Sequence, residues 1–527
     1  MSYWYQQKRK CQGPASLKNG DSFLYSLSAS TKRRAERKKE EENNMKKRVL
    51  AMVLTTCMAV GMLAGCGGSS SGESAGAASE GASSEAAAAE TTEEAAGGEA
   101  AASTGKKGTI NLWAFTDEVP NMVNQYIAEH PDFGYDVNAT IIATTEGAYQ
   151  PALDAALQAG GSEQPDMYCA EAAFVLKYTK GDMESYAMPY ADLGFDVDAD
   201  IAEAKIAQYA VDIGTNSSGQ VDALGYQATG GCFIYRRSIA QEVFGTDDPA
   251  AISEAIGGGS GSFDKFWEAA QTLADKGVAI VSGDGDVWHA IENSSESGWL
   301  DADGKLYVDP ARESFLDISK NLTDNGWSNQ TQDWQDAWFA DMKGQGSKPV
   351  FGFFGPAWLI NYTLNPNCGG SAVGEGTFGD WAVCTSPIGF FWGGTWIMAN
   401  KNMDAEKVAA VAELIHWITL DCTEDGLQYK WANGTLYASG SAKDAVASST
   451  VMGMSDGSLE FLGGQDMFEY FIPANDYANG KNLTPYDESI NSLWRDQVRA
   501  YASGEKERDA ALKDFKQIVS DNLGIDY

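Results

Sequence analysis

An α/β fold in two lobes, each a mainly parallel sheet flanked by helices, is what three features of the sequence predict. From residue 108 onward, short apolar runs of strand length alternate with amphipathic helical stretches. That order builds parallel sheets covered by helices. The body is 420 residues long, more than a single hydrophobic core serves. The residues just before it, 67–107, are of types that form no core, which sets the start of the fold at 108.

The leading segments come first. Residues 1–44 are polar and basic, with KKEEE at 38–42 and no hydrophobic period. Lys46, Lys47 and Arg48 then precede an uncharged run of sixteen residues at 49–64. A membrane-spanning helix needs about 20 apolar residues, so the run is short for one. A basic cluster, a short apolar stretch and small residues make a secretory signal, here 45–65. Its end, Leu63-Ala64-Gly65-Cys66, looks like the bacterial lipobox. That resemblance implies cleavage before Cys66 and a lipid on its thiol. A signal normally opens a chain, so 1–44 reads as a mis-called start, with a cytoplasmic extension as the alternative. Residues 67–107 contain no aromatic and no large aliphatic side chain. They cannot bury a core and read as a tether, 66–107 counting the cysteine.

Composition then bounds the function. The chain carries 38 basic and 74 acidic residues, net −36. Residues 1–65 hold 13 Lys/Arg and 5 Asp/Glu, which leaves 25 and 69 beyond them. Nucleic-acid binding needs a basic face, so it is not expected. The body has five cysteines, 169, 232, 368, 384 and 422, in odd number and without CxxC spacing. That argues against a disulfide framework or a zinc site, and Cys368–Cys384 is the one candidate bridge. Only three histidines exist, His130, His289 and His416. No GxSxG, HExxH or phosphate loop is present. DADGK at 301–305 lacks the spaced ligands of a calcium loop and reads as a turn. No metal and no cofactor are expected.

Within the body, GTINLWAF (108–115), PDMYCA (165–170), GVAIVSG (277–283) and KPVFGFFG (348–355) are the strand candidates. PALDAALQAGG has Pro151 at a first helical position and Gly160 at a stop. DAEKVAAVAELIHWITL carries a helical stripe at Val408, Val411, Ile415 and Ile418, which makes His416 a packing or surface residue. EKERDAALKDFKQIVSDNLG is a closing helix stopped by Gly524.

Several segments, in order and spacing, resemble the bacterial extracellular solute-binding proteins of family 1, the sugar receptors of ABC importers. INLWAFTDEVPNMVNQYIAEHPD (110–132) is similar to their first strand and helix, and PDMYCAEAAFVLKY to their second strand and turn. GYQATGGCFIYRRSIAQEVFGTDDP (225–249) resembles the first inter-lobe crossing, KPVFGFFGPAWL the Gly-Pro-Trp segment, and PIGFFWGGTWIMANK the return strand. NGTLYASGSA and the last helix complete a likeness over 108–527. It implies a class II periplasmic-binding-protein-like fold with hinge strands near 229–232, 387–389 and 434–440. Lobe one would be 108–229 plus 389–436, and lobe two 230–388 plus 437–527. Glycines at all three crossings suit a hinge, and equally suit ordinary turns.

Sugars offer C–H faces to aromatic rings and hydroxyls to planar polar groups. Thr116 and Glu118 follow the first strand, at the end where α/β sheets bind ligands, though Thr116, Asp117 and Glu118 also fit a helix start. The resemblance adds Glu171 and Phe174 after the second strand, and Tyr226 and Gln227 at the first crossing, where hinge packing is the alternative. Trp358 matches a family stacking residue, with Ala357 after the proline blurring the register. Trp288 and Trp396 are further candidates, and Gly394 lets a ligand approach the backbone. Tryptophan is more often core than ligand, the reading kept for Trp113. The function implied is a monomeric receptor, anchored by lipid on Cys66 at the outer face of the membrane. It would hand a carbohydrate, favoured as an oligosaccharide by the many aromatics, to ABC permease subunits. A lipid-anchored glycoside hydrolase and a structural surface lipoprotein are the alternatives.

Overall fold

The computed structural model describes residues 106–144 and 147–527; the signal expected at 45–65, the lipidation expected at Cys66 and nearly all of the expected tether lie outside them. Lobe one is built on a five-stranded sheet. β1 (Thr109–Ala114), β2 (Asp136–Ile141), β3 (Met167–Glu171) and β4 (Leu224–Gly225) come from the first third of the body. A strand returning from much later, Thr395–Ala399, lies between β3 and β4. β1 pairs parallel with β2 and β3, whereas the returning strand is antiparallel to both neighbours. The first helix, Glu118–Glu129, buries Val119, Met122, Val123 and Tyr126. That i, i+3, i+4, i+7 stripe docks it on the sheet.

Lobe two holds β5 (Cys232–Arg236), β6 (Val281–Gly283), β7 (Ser328–Thr331), β8 (Gly352–Gly355) and β9 (Trp381–Cys384). β5 lies between β8 and β9, antiparallel to both. β6 and β7 run parallel, and an isolated parallel bridge, Ala279 to Val350, ties the two sheets. The returning strand of lobe one is β10 (Thr395–Ala399). Each lobe therefore carries one reversed strand, β10 or β5, and in both cases it is the strand that has just crossed from the other lobe. The closing helix, Arg508–Leu523, buries Ala511, Phe515 and Val519 and ends at Gly524 with φ +70°. It packs with helix Asp487–Ala502 against lobe two.

Two connections between the lobes run side by side. Residues 229–231 pair with 390–392, with Gly231 N–H donating to Phe390 O at 2.9 Å and Trp392 N–H to Thr229 O at 3.0 Å. The glycines there serve close packing: a Cβ on Gly231 would lie 2.0 Å from the Phe390 ring. The third crossing comes later than 434–440. Ala447 N–H donates to Tyr226 O, and Ser448 Oγ to Ala204 O, both in lobe one. Asn361 of lobe two donates to Lys443 O, and from Phe461, stacked on Trp381, and Leu462, whose carbonyl accepts from Arg237, the chain rests on lobe two. Residues 445–448 thus pack with lobe one, beyond the boundary expected at 436. Gly434 and Gly440 have φ +69° and +85°, and Ser441 N–H donates back to Gly434 O. They close a local turn, which their sequence alone does not distinguish from a crossing.

Smaller expectations resolve simply. Helix Tyr149–Ala159 starts two residues ahead of Pro151 and stops at Gly160, φ +64°. The histidine helix spans Val408–Thr419, and His416 meets Phe195 edge to face. Asp301 accepts the N–H groups of Asp303 and Lys305, a turn. Cys368 and Cys384 are separate free thiols, each buried. Among the described residues, no helix is long and apolar enough to cross a membrane.

Candidate functional site

The two lobes meet along a line, the cleft, over the second crossing strand. Gly393 and Gly394 there have φ +72° and +119°, conformations open to glycine and strained for any other residue. A Cβ on Gly393 would lie 3.5 Å from Trp358 Nε1 and 3.6 Å from Glu171 Oε1, so this glycine marks where the two lobes converge. Glu171 is the last residue of β3. Its Oε2 accepts from Ala173 N–H at 2.8 Å. Burial raises the Glu171 carboxyl to about 7, and nearby Glu488 and Glu292 push the same way.

The opposite wall is aromatic. Trp358 follows β8 and donates Nε1–H to Trp392 O at 2.9 Å. Its indole meets that of Trp392 edge to face at 4.7 Å and lies parallel to Trp334 at 6.3 Å. Trp334 is 48% exposed and sits at φ +65° in the loop after β7. His289 stacks on Trp392 with 3.5 Å between ring centres. Its Nε2 is 3.2 Å from Asp333, and its Nδ1 3.4 Å from Glu292. Arg495 pairs with the same Asp333 carboxylate at 3.0 Å. Burial alone would lower the His289 pKa, but Asp333 and Glu292 raise it to about 8. The mirror holds for Asp333: burial opposes its charge, and Arg495 with His289 outweighs that and holds the carboxyl well below its usual range. This network ties helix Asp284–Glu292, the Trp334 loop and helix Asp487–Ala502 together beneath the tryptophans.

A second polar cluster lies on the lobe-one side. Glu118 opens helix Glu118–Glu129 and accepts from the Tyr226 hydroxyl. Tyr362 of lobe two donates to its other oxygen at 3.3 Å, a bond across the cleft. Burial raises the Glu118 carboxyl above its ordinary value although both phenols donate to it. Gln227 donates to buried Asp444 at 2.6 Å, and burial lifts Asp444 to about 8. Gln150 of lobe one reaches Glu488 of lobe two at 3.1 Å.

The candidates from sequence divide accordingly. Glu171, Trp358 and Gly394 stand at the cleft, and Glu118, Tyr226 and Gln227 form the cluster beside it. Thr116 is exposed at the end of β1, and Asp117 caps the helix without a side-chain bond. Phe174 is 5% exposed and meets Phe115 edge to face within lobe one. Trp288 and Trp396 point into cores. Trp288 is 1% exposed against Phe315, and Trp396 gives its Nε1–H to Ala210 O. In both, a strand or helix period turned inward outranks the side chain's type. The sequence candidates omitted Trp334, Trp392, His289, Asp333, Tyr362 and Asp444. For Trp334 a signal existed, a tryptophan amid polar residues in TQDWQDAW, outside any apolar period.

A family model described as bacterial extracellular solute-binding protein matches residues 121–452, more than half of the chain. The chain belongs to this family. Solved structures of extracellular solute-binding proteins share the two-lobed fold. One described as extracellular solute-binding protein family 1 is 16% identical, with a TM-score of 0.63 over 77% of this chain and 97% of its own. The galacto-N-biose/lacto-N-biose I-binding protein of an ABC transporter from Bifidobacterium longum is 16% identical, at TM-score 0.57 over 81% of this chain and 100% of its own. The sugar-binding protein MalE from Xanthomonas citri is also 16% identical, at TM-score 0.56 over 79% and 97%. No curated protein matches the chain by sequence. Solute-binding proteins of this family work as binding components of transporters rather than as enzymes, and the family's placement is extracellular.

Proposed function

We propose that this solute-binding protein captures a carbohydrate, an oligosaccharide, between its lobes and delivers it to the permease of an ABC importer. The observation that carries the reading is the cleft itself. Three indoles, Trp334, Trp358 and Trp392, converge with Glu171 over a floor of two glycines. Indole faces stack on sugar C–H surfaces, a carboxylate accepts hydroxyl protons, and the missing side chains at the floor let a ring lie against the backbone. Structural relatives named for lacto-N-biose, for cycloalternan and as a sugar-binding protein support a saccharide over other solutes. The protein is a monomer, tethered to the outer face of the membrane by a lipid on Cys66, and has no catalytic role.

Isothermal titration of the chain against a panel of neutral mono- and oligosaccharides tests this. Saturable binding with quenching of tryptophan emission and no release of reducing ends is the expected result. Reducing-end release would make the protein a hydrolase instead, and a panel without any binder would remove the carbohydrate reading. Mass spectrometry of the membrane fraction tests the anchor, with a lipid-modified N-terminus at Cys66 expected and its loss in Cys66→Ala.

A further inference from the structure

The geometry points to a second binding site, for a small oxyanion such as a phosphate or a carboxylate, in a cavity of ≈ 180 Å³ on lobe two behind the Trp334 loop. Arg499 lines this cavity with Asp284, Ser319, Thr323, Gln332 and Ser503. Six arginines lie among the described residues, and five have their guanidinium engaged. Arg236, Arg237, Arg495 and Arg508 pair with carboxylates, and Arg312 donates to the carbonyls of Ser297 and Glu292. Arg499 alone makes no side-chain hydrogen bond or ion pair with any described residue. It does so in a chain with 74 acidic against 38 basic residues, where carboxylate partners are plentiful.

The guanidinium is half-buried one turn beyond Arg495 on helix Asp487–Ala502. A fork of five N–H donors suits a planar or tetrahedral oxyanion, which it grips with two parallel bonds. Asp284 also borders the cavity, but its carboxylate takes the Ser319 hydroxyl at 2.8 Å instead of Arg499. Burial and the neighbouring Arg495 work against the Arg499 charge, while Asp284, Asp333 and Asp496 favour it from a distance without pairing with it. The cavity's far wall is β7 and the residues that follow it, including Gln330 at φ +57°. Those residues lead directly into Asp333 and Trp334, so an anion seated on Arg499 braces the loop that walls the cleft.

Titrating the full chain with inorganic phosphate and with sulfate, at ionic strength held constant with chloride, tests the site without any sugar. Calorimetry should show saturable one-site binding at millimolar concentrations or below, with a rise in melting temperature. Arg499→Gln should weaken it tenfold or more, and Arg508→Gln, a half-buried arginine paired with Glu313 and Asp317 away from the cavity, should leave it unchanged. Ser503→Met, at the exposed rim, should block the cavity without touching the fold, which keeps the test decisive if Arg499→Gln folds poorly. No saturable binding, or binding equal in both cavity variants and wild type, overturns the site. Bracing predicts a phosphate-dependent change in tryptophan emission that Trp334→Phe removes. A melting-temperature rise with unchanged emission refutes the bracing. The result is independent of the carbohydrate reading, because no cleft ligand is present.

Discussion

Replacing His289 by Gln should convert a pH-dependent part of the stability into a flat one. The imidazole lies on Trp392 and between Asp333 and Glu292, and these carboxylates raise its pKa from the ordinary 6.5 to about 8. A buried histidine whose folded pKa exceeds its unfolded one binds its proton more tightly in the native state. Below pH 6.5 both states are charged and the full stabilisation is present. Between 6.5 and 8 it falls, and above 8 the native imidazole is neutral and the contribution is gone. A shift of this size corresponds to about 2 kcal/mol, at 1.36 kcal/mol per pKa unit. Urea denaturation of wild type and His289→Gln at pH 6 and pH 9 measures it. The two chains should differ by about 2 kcal/mol more at pH 6 than at pH 9. Glu171 and Asp444 titrate in both chains and cancel in the difference, since neither forms a hydrogen bond with His289. A difference that stays constant from pH 6 to 9 would show that His289 is not held as a cation beneath Trp392, and the account of this network would fall.

Further outcomes follow from the cleft. Trp358→Ala should remove a stacking face and weaken saccharide binding by about 1–3 kcal/mol, roughly tenfold to over a hundredfold in Kd by titration calorimetry. Tyr362→Phe deletes the cross-cleft bond to Glu118, worth about 1 kcal/mol. Small-angle scattering of the ligand-free variant should then show a larger radius of gyration than wild type, and an identical one would deny that bond a part in closure. Glu171→Gln should stabilise the protein at pH 8 and have little effect at pH 5. Burial raises the native carboxyl to about 7, so its charge costs stability as pH climbs from the ordinary carboxylate value through 7. Thermal melts at the two pH values read this directly.

The sequence by itself marked several of the strands and helices and their alternation, and its length and family resemblance gave the two-lobe class. The marked elements rest on local signals: the stripe of helix Val408–Thr419, the stop at Gly524, the apolar run of β3. The resemblance singled out Glu171, which ends β3, and Trp358, which follows β8, because the residues at and just after a strand's end keep their order in the sequence. Which tryptophans face the cleft was decided only in three dimensions. Trp396 and Trp392 are four residues apart around the same pair of glycines, yet one is buried under Ala210 and the other backs the site. The alternation of β10 and the path of the crossing choose between them, and composition carries neither. The third crossing was settled the same way, since a turn closed at Gly434 and a hinge read alike until Ala447 is seen on Tyr226. His289, Asp333 and Arg495 come from three separate segments of lobe two, with no spacing to announce them. Their union is a product of packing, because a charge is held in an interior only where other elements bring its partners, and sequence order does not state which elements will meet.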